Sequence, residues 1–157
     1  MRLRLRRPPD TSPGWTVIEL LLILSIIGTL SAMVLPNLHQ TIERARVAKA
    51  IGDIEAKQVE LATFRADGDS LPATLAAIGR GGYPDPWGRP YQYLNLSAGG
   101  KGKGGVIGQA RKDRFLVPLN SDYDLYSMGK DGATQTPLNA KVSHDDVIRA
   151  NDGGFIG

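Results

Sequence analysis

The chain has 157 residues, no cysteine and a formal net charge of +3. Four arginines and one aspartate among the first 14 residues account for that charge; the remainder holds 15 basic and 15 acidic residues and is neutral. The basic pI of 9.3 is therefore no sign of nucleic-acid binding, and disulfide stapling is excluded.

Arg2, Arg4, Arg6 and Arg7 precede a 21-residue apolar run, Trp15 to Leu35, with one charge, Glu19, near its start. About 20 apolar residues as helix cross a hydrocarbon core of about 30 Å, so the run is long enough to span. Basic residues ahead of a span hold the N-terminus in the cytoplasm and place the rest of the chain across the membrane. A secretory signal fits poorly: its core is shorter, a small-residue cleavage site follows it, and it holds no charge. A plain anchor leaves Gly14 before the run, and Glu19 five residues after that glycine, without a reason.

Gly14-Trp-Thr-Val-Ile-Glu19-Leu-Leu resembles the prepilin signal of type IV pilins and type II secretion pseudopilins. The resemblance implies cleavage after Gly14 by a prepilin peptidase, methylation of the new N-terminus at Trp15, and retention of the run in the mature protein. Phenylalanine is usual where Trp15 stands; Pro36 matches the proline that ends the apolar stretch in this family. A lone carboxylate in hydrocarbon seeks a cation. Glu19 is accordingly expected to pair with a neighbouring subunit's N-terminal ammonium in a helical filament. Gly28 and Pro36 both weaken helix, so local melting or bending between them is expected on assembly.

Asn37 to Ala66 read as an amphipathic helix carrying Val47, Ile51, Ile54 and Leu61 at near-helical spacing, with Gly68 as its C-cap. Helix is thus expected over about 50 residues in all. Ser70 predicts the cap of a short helix ending at Ile78. In Pro84-Asp-Pro-Trp-Gly-Arg-Pro-Tyr-Gln-Tyr93, three prolines and Gly88 predict a tight turn, with Trp87 free to anchor it to the helix. Tyr91 to Asn95 alternates as a strand. Asp-Pro-Trp-Gly-x-Pro-Tyr is similar to a segment of type II secretion major pseudopilins that precedes the first strand of their sheet. Residues 99–105, rich in glycine with Lys101 and Lys103, read as a hairpin loop, since both lysines precede glycine rather than Ser or Thr as a phosphate loop requires. Arg114 to Pro118 and Ser121 to Met128 are further strand candidates. The second places Asp122, Asp124 and Tyr126 on one face and Tyr123, Leu125 and Ser127 on the other.

Asp124-Leu-Tyr-Ser-Met-Gly-Lys-Asp-Gly132 resembles the opening of the calcium loop of these pseudopilins, which an acidic pair, here Asp145-Asp146, closes. The resemblance implies calcium as cofactor, with carboxylates from Asp131, Asp145 and Asp146, the Met128 carbonyl, and Ser127 ligating or orienting. Calcium takes six to eight hard oxygens, and Gly129 and Gly132 let the backbone turn. The 14-residue spacing from Asp131 to Asp145 exceeds the family's usual loop. The alternative is that these aspartates are turn formers. An EF-hand is disfavoured, for its glycine and glutamate positions are not met. His39 and His144 are read as surface residues.

No nucleophile with a base partner and no cofactor motif appears, so the chain is read as no enzyme. The resemblance implies an α+β fold of the pilin type, a long helix on a small antiparallel sheet. It divides the chain into a leader (1–14), a membrane and filament-core helix (15–36), and an amphipathic helix with a periplasmic domain (37–157). It further implies a single-pass inner-membrane subunit that polymerises with itself into a secretion pseudopilus. Its expected partners are minor pseudopilins, an assembly platform, the secretin and the exported substrate. A type IV pilin for adhesion or twitching, and an anchored periplasmic sensor, are the alternatives.

Overall fold

A computed structural model describes residues 14–68, 70–99 and 105–157. The arginine-rich leader up to residue 13, and Lys101 and Lys103 of the glycine loop, lie outside the described residues. The described chain falls into two units that divide between Thr41 and Ile42. One helix, α1 (Val17–Gly68, 52 residues), contributes to both.

In the first unit the stretch of α1 from Leu20 to Val34 carries no charge on any face and is almost wholly exposed. A helix that is hydrophobic all round belongs in a protein core or a bilayer, and this one is long and apolar enough to cross a membrane. Pro36 lies within α1 rather than at an end.

In the second unit α1 changes character. Ala50, Ile54 and Leu61 are fully buried, with Ile51 packed beside them. Offsets of four and seven place them on one stripe. Val47, expected in this stripe, is 37% exposed. Burial of Ile54 and of Leu61 contributes about 1.5–3 kcal/mol each. Lys57 lies in the same stripe, 5% exposed. Its ammonium sits 3.8 Å from the centroid of the Tyr91 ring, and burial lowers its pKa. The Tyr91 hydroxyl donates to Asp53 Oδ2 at 2.9 Å, so both polar ends on this face are satisfied.

After α1 a single 3-10 turn covers Leu75–Ile78. Ser70 does not cap it; Thr74 precedes it without a side-chain hydrogen bond, and Gly79 closes it at φ 73°. The reason is Pro72, whose ring steers Leu71 away from helical dihedrals. Four strands then form one antiparallel sheet in the order β1 (Gln92–Asn95), β2 (Tyr123–Ser127), β3 (Val147–Ala150), β4 (Phe155–Ile156). Tyr93 faces Leu125 across β1 and β2, and Tyr126 faces Ile148 across β2 and β3. Tyr91, Tyr123, Leu125 and Val147 meet the helix stripe and complete the core. The fold is α+β, a long helix on a small antiparallel sheet, as the sequence reading expected.

Two segments differ from expectation. A one-turn helix, α2 (Val106–Gln109), follows the glycine loop. Arg114 to Pro118 is not a strand. Asp113 N–H donates to Leu116 O at 2.9 Å and Leu119 N–H to Arg111 O at 2.8 Å, so the chain doubles back on itself. Phe115 at the tip is 85% exposed. A short apolar run does not make a strand without an edge to pair with, and Pro118 has no N–H to give one.

Candidate functional site

Trp15 and Glu19 sit at the start of α1, just after Gly14. Glu19 Oε2 accepts from the Thr16 N–H (2.9 Å) and the Thr16 hydroxyl (2.7 Å), and the Glu19 N–H donates back to Thr16 Oγ1 (3.3 Å). This is a capping box: Thr and Glu at i and i+3 exchange hydrogen bonds and satisfy N–H groups that have no partner within the helix. Its sequence signature, Thr16-x-x-Glu19, stands directly ahead of the uninterrupted apolar run. The box fixes the carboxylate at the first turn.

At the other end of the chain, the turn at residues 84–90 docks on the loop that follows β2. Asp85 is 4% exposed. Its Oδ1 accepts from the N–H groups of Trp87 (3.0 Å) and Arg89 (2.8 Å), closing the turn from inside. Its Oδ2 accepts from the Ser127 hydroxyl at 2.5 Å, and Ser127 Oγ in turn accepts from Gly129 N–H at 3.2 Å. Arg89 reaches over the same loop and donates to the Gly129 (2.9 Å) and Lys130 (3.2 Å) carbonyls. Trp87 ties the turn to α1 through Nε1, which donates to Glu43 Oε2 at 3.1 Å and lowers the Glu43 pKa from 4.5. The two segments that resembled secretion pseudopilins are thus one structural joint. Ser127 lies between its two halves, donating to Asp85 and accepting from Gly129 N–H.

The residues expected to hold calcium are only partly gathered. Asp131 and Asp145 are adjacent, with the Asp131 N–H donating to Asp145 Oδ2 at 2.9 Å. Asp131 Oδ1 accepts from Ala133 N–H, and the Met128 carbonyl accepts from Gly132 N–H. Asp146 lies elsewhere: its Oδ2 accepts from the Arg111 guanidinium and from the Thr134 hydroxyl (2.7 Å). The acids of this loop therefore work in part as turn formers. Among the described residues no group of three His, Cys, Asp or Glu side chains is placed to share a metal ion. Calcium takes six to eight oxygens around one point, backbone carbonyls among them; with Asp146 held by Arg111, the three acidic side chains do not converge on one. His39 and His144 are exposed.

Arg111 was not singled out in the sequence, because residues 95–120 carried no recognisable motif. It is 2% exposed and lies over the Tyr126 ring, 4.4 Å from its centroid. Its backbone N–H donates to Asp124 Oδ2 at 2.6 Å. Both faces of β2 are consequently covered: Asp124, expected on the same face as Asp122 and Tyr126, is 1% exposed beneath this segment. Burial pushes the Asp124 carboxyl up, and the N–H of Arg111 and the amide of Asn120 oppose that rise. A second ion pair, Arg149 with Asp122, joins β3 to the start of β2 and sits 3.9 Å from the Tyr123 ring centroid.

No family model matches the chain, and no solved structure does. Curated relatives are found. The type II secretion system core protein G of Pseudomonas aeruginosa is 30% identical over 140 residues, covering 76% of this chain and 84% of that protein. That of Escherichia coli K12 is 32% identical over 151 residues, covering 83% and 90%. That of Aeromonas hydrophila is 28% identical over 144 residues, covering 78% and 86%.

Proposed function

The chain belongs to the type II secretion system core protein G family and is a structural subunit of a secretion pseudopilus, and on that premise we propose how its parts work. Gly14 is the cleavage residue of a prepilin leader. A prepilin peptidase cuts after it and methylates Trp15. The apolar part of α1 then holds the subunit in the inner membrane with the second unit in the periplasm. No catalytic role is assigned to any residue.

Assembly consists of moving α1 from lipid into a helical homopolymer. A carboxylate leaves the hydrocarbon boundary most readily when a cation meets it. Glu19 is held in place by Thr16, so it offers a fixed negative charge at the start of an exposed apolar helix. The methylated ammonium of the subunit ahead is the cation of matching position. The same helix surface, exposed from Val17 to Val34, becomes the filament core. The second unit meets the minor pseudopilins, the assembly platform in the inner membrane, and in turn the secretin and cargo. Surface adhesion or twitching is not favoured, since the relatives above carry the secretion name.

The observation that carries this reading is the family membership, together with a buttressed carboxylate at the head of an exposed apolar helix. The test uses membrane-extracted protein from cells with the secretion machinery. Mass spectrometry should give an N-terminus at Trp15 carrying one methyl group. Glu19→Ala should be processed equally and fail to enter filaments. An intact Met1 on the membrane protein, or normal filaments from Glu19→Ala, would refute it.

A further inference from the structure

We infer that Arg111 is the built-in cation of the C-terminal loop, so that this domain closes without calcium. The loop between β2 and β3 runs from Met128 to Asp146 with no disulfide to shorten it. An extended loop of this kind gains stability from any link that closes it. A divalent ion is one such link. The guanidinium of Arg111 is placed to be another.

Arg111 binds each part of the loop that needs holding. Nη2 pairs with Asp146 Oδ2 at the loop's far end, where both side chains are almost wholly buried. Nη1 donates to Thr134 Oγ1 and to the Gln135 carbonyl (2.6 Å) in the middle. Thr134 and Asp146 also bond to each other, closing a triangle of side chains. The Tyr126 ring of β2 covers the guanidinium, and the Arg111 N–H bonds to Asp124 of the same strand. The flanking backbone joins in: Lys112 N–H donates to Thr136 O, and Leu138 N–H to Lys112 O. One side chain thus links β2, the loop centre and the start of β3.

A guanidinium differs from a bound ion in two ways that matter here. It is always charged, and its planar fork fixes several acceptors at once. It also occupies the carboxylate that a calcium ion would need. With Asp146 turned to Arg111, Asp131 and Asp145 remain near each other, and one oxygen of each already accepts a backbone N–H. Asp146 Oδ1 and Arg111 Nε are buried without a partner. A single carboxylate oxygen beside a fixed cation is a poor site for a second, divalent one.

The test uses the full chain in non-ionic detergent. Thermal unfolding is followed by near-ultraviolet circular dichroism in excess EGTA and in millimolar calcium, with calorimetric titration of calcium in parallel. The expected result is one Tm in both buffers and no saturable heat. A Tm raised by several degrees in calcium, or a saturable binding isotherm, overturns the inference. Arg111→Gln should lower Tm by roughly 10 °C or more in both buffers, since it strands Asp146 in the interior. An unchanged Tm in that variant overturns the inference too. Should Arg111→Gln fail to fold, the calcium comparison on the unaltered chain still decides.

Discussion

Ser127→Ala removes one oxygen from the joint between the turn at residues 84–90 and the loop after β2. Ser127 is fully buried, so no water replaces what is lost. Its hydroxyl gives a 2.5 Å hydrogen bond to the Asp85 carboxylate. A bond to a charged acceptor contributes about 1.5–3 kcal/mol. The same oxygen accepts from Gly129 N–H, and a buried donor left unsatisfied costs a further 1–3 kcal/mol or so. The 3.2 Å length of that second bond places its share at the low end, so a total loss of about 3 kcal/mol is expected. Equilibrium urea unfolding of the full chain in non-ionic detergent, read by near-ultraviolet circular dichroism, measures it. A cycle with Asp85→Ala should show coupling of about 1–2 kcal/mol, because both changes remove one shared contact. The loss should be equal in EGTA and in calcium, for both bonds removed join protein groups. A loss under about 0.5 kcal/mol, or fully additive effects, would show that the joint does not hold the loop.

Gly129→Ala should be more damaging. Gly129 has φ +60°, and a Cβ there would lie 2.0 Å from the Asp145 carbonyl oxygen, which is backbone and cannot swing aside. A loss of roughly 3 kcal/mol or more is expected in the same urea assay, and a variant of native stability would contradict the placement of 129 against 145. Alkaline pH gives an independent check. Burial, aided by Tyr123 and Asp122, pushes the Tyr93 phenol from 10.0 up to about 12. The folded chain keeps a proton that the unfolded chain releases, so stability is intact below pH 10 and falls as pH rises from 10 towards 12. Phenolate absorbance of the buried tyrosines should therefore appear together with loss of near-ultraviolet dichroism. Its complete appearance in a chain with native dichroism would count against the burial of Tyr91, Tyr93 and Tyr123.

The elements that were readable from sequence are those governed by a local period. The apolar run, the stripe of Ile54 and Leu61, and the alternation in β1 and β2 each repeat at the spacing of helix or strand. The proline-rich turn was equally legible, since ring constraints act within a few residues. What could not be read were the contacts that close at long range. Arg111 and Asp146 are 35 residues apart, and neither carries a local mark of the other. Ser127 was recognisable as part of a motif, but its partner Asp85, 42 residues away, was not. Phe115 to Val117 shows the converse: a local apolar pattern misleads when no strand edge lies beside it.

The Gln58–Arg149 contact spans 91 residues, from the middle of α1 to β3. Ribosomes add about 5–20 residues each second. Gln58 therefore stands without this partner for about 5–18 s after its own synthesis, while Tyr91 and then Tyr123 and Leu125 reach the stripe of Ile54 and Leu61 sooner. Early in that interval the nascent chain presents two sticky surfaces, the apolar run and the core stripe, and the lipid is suited to only one.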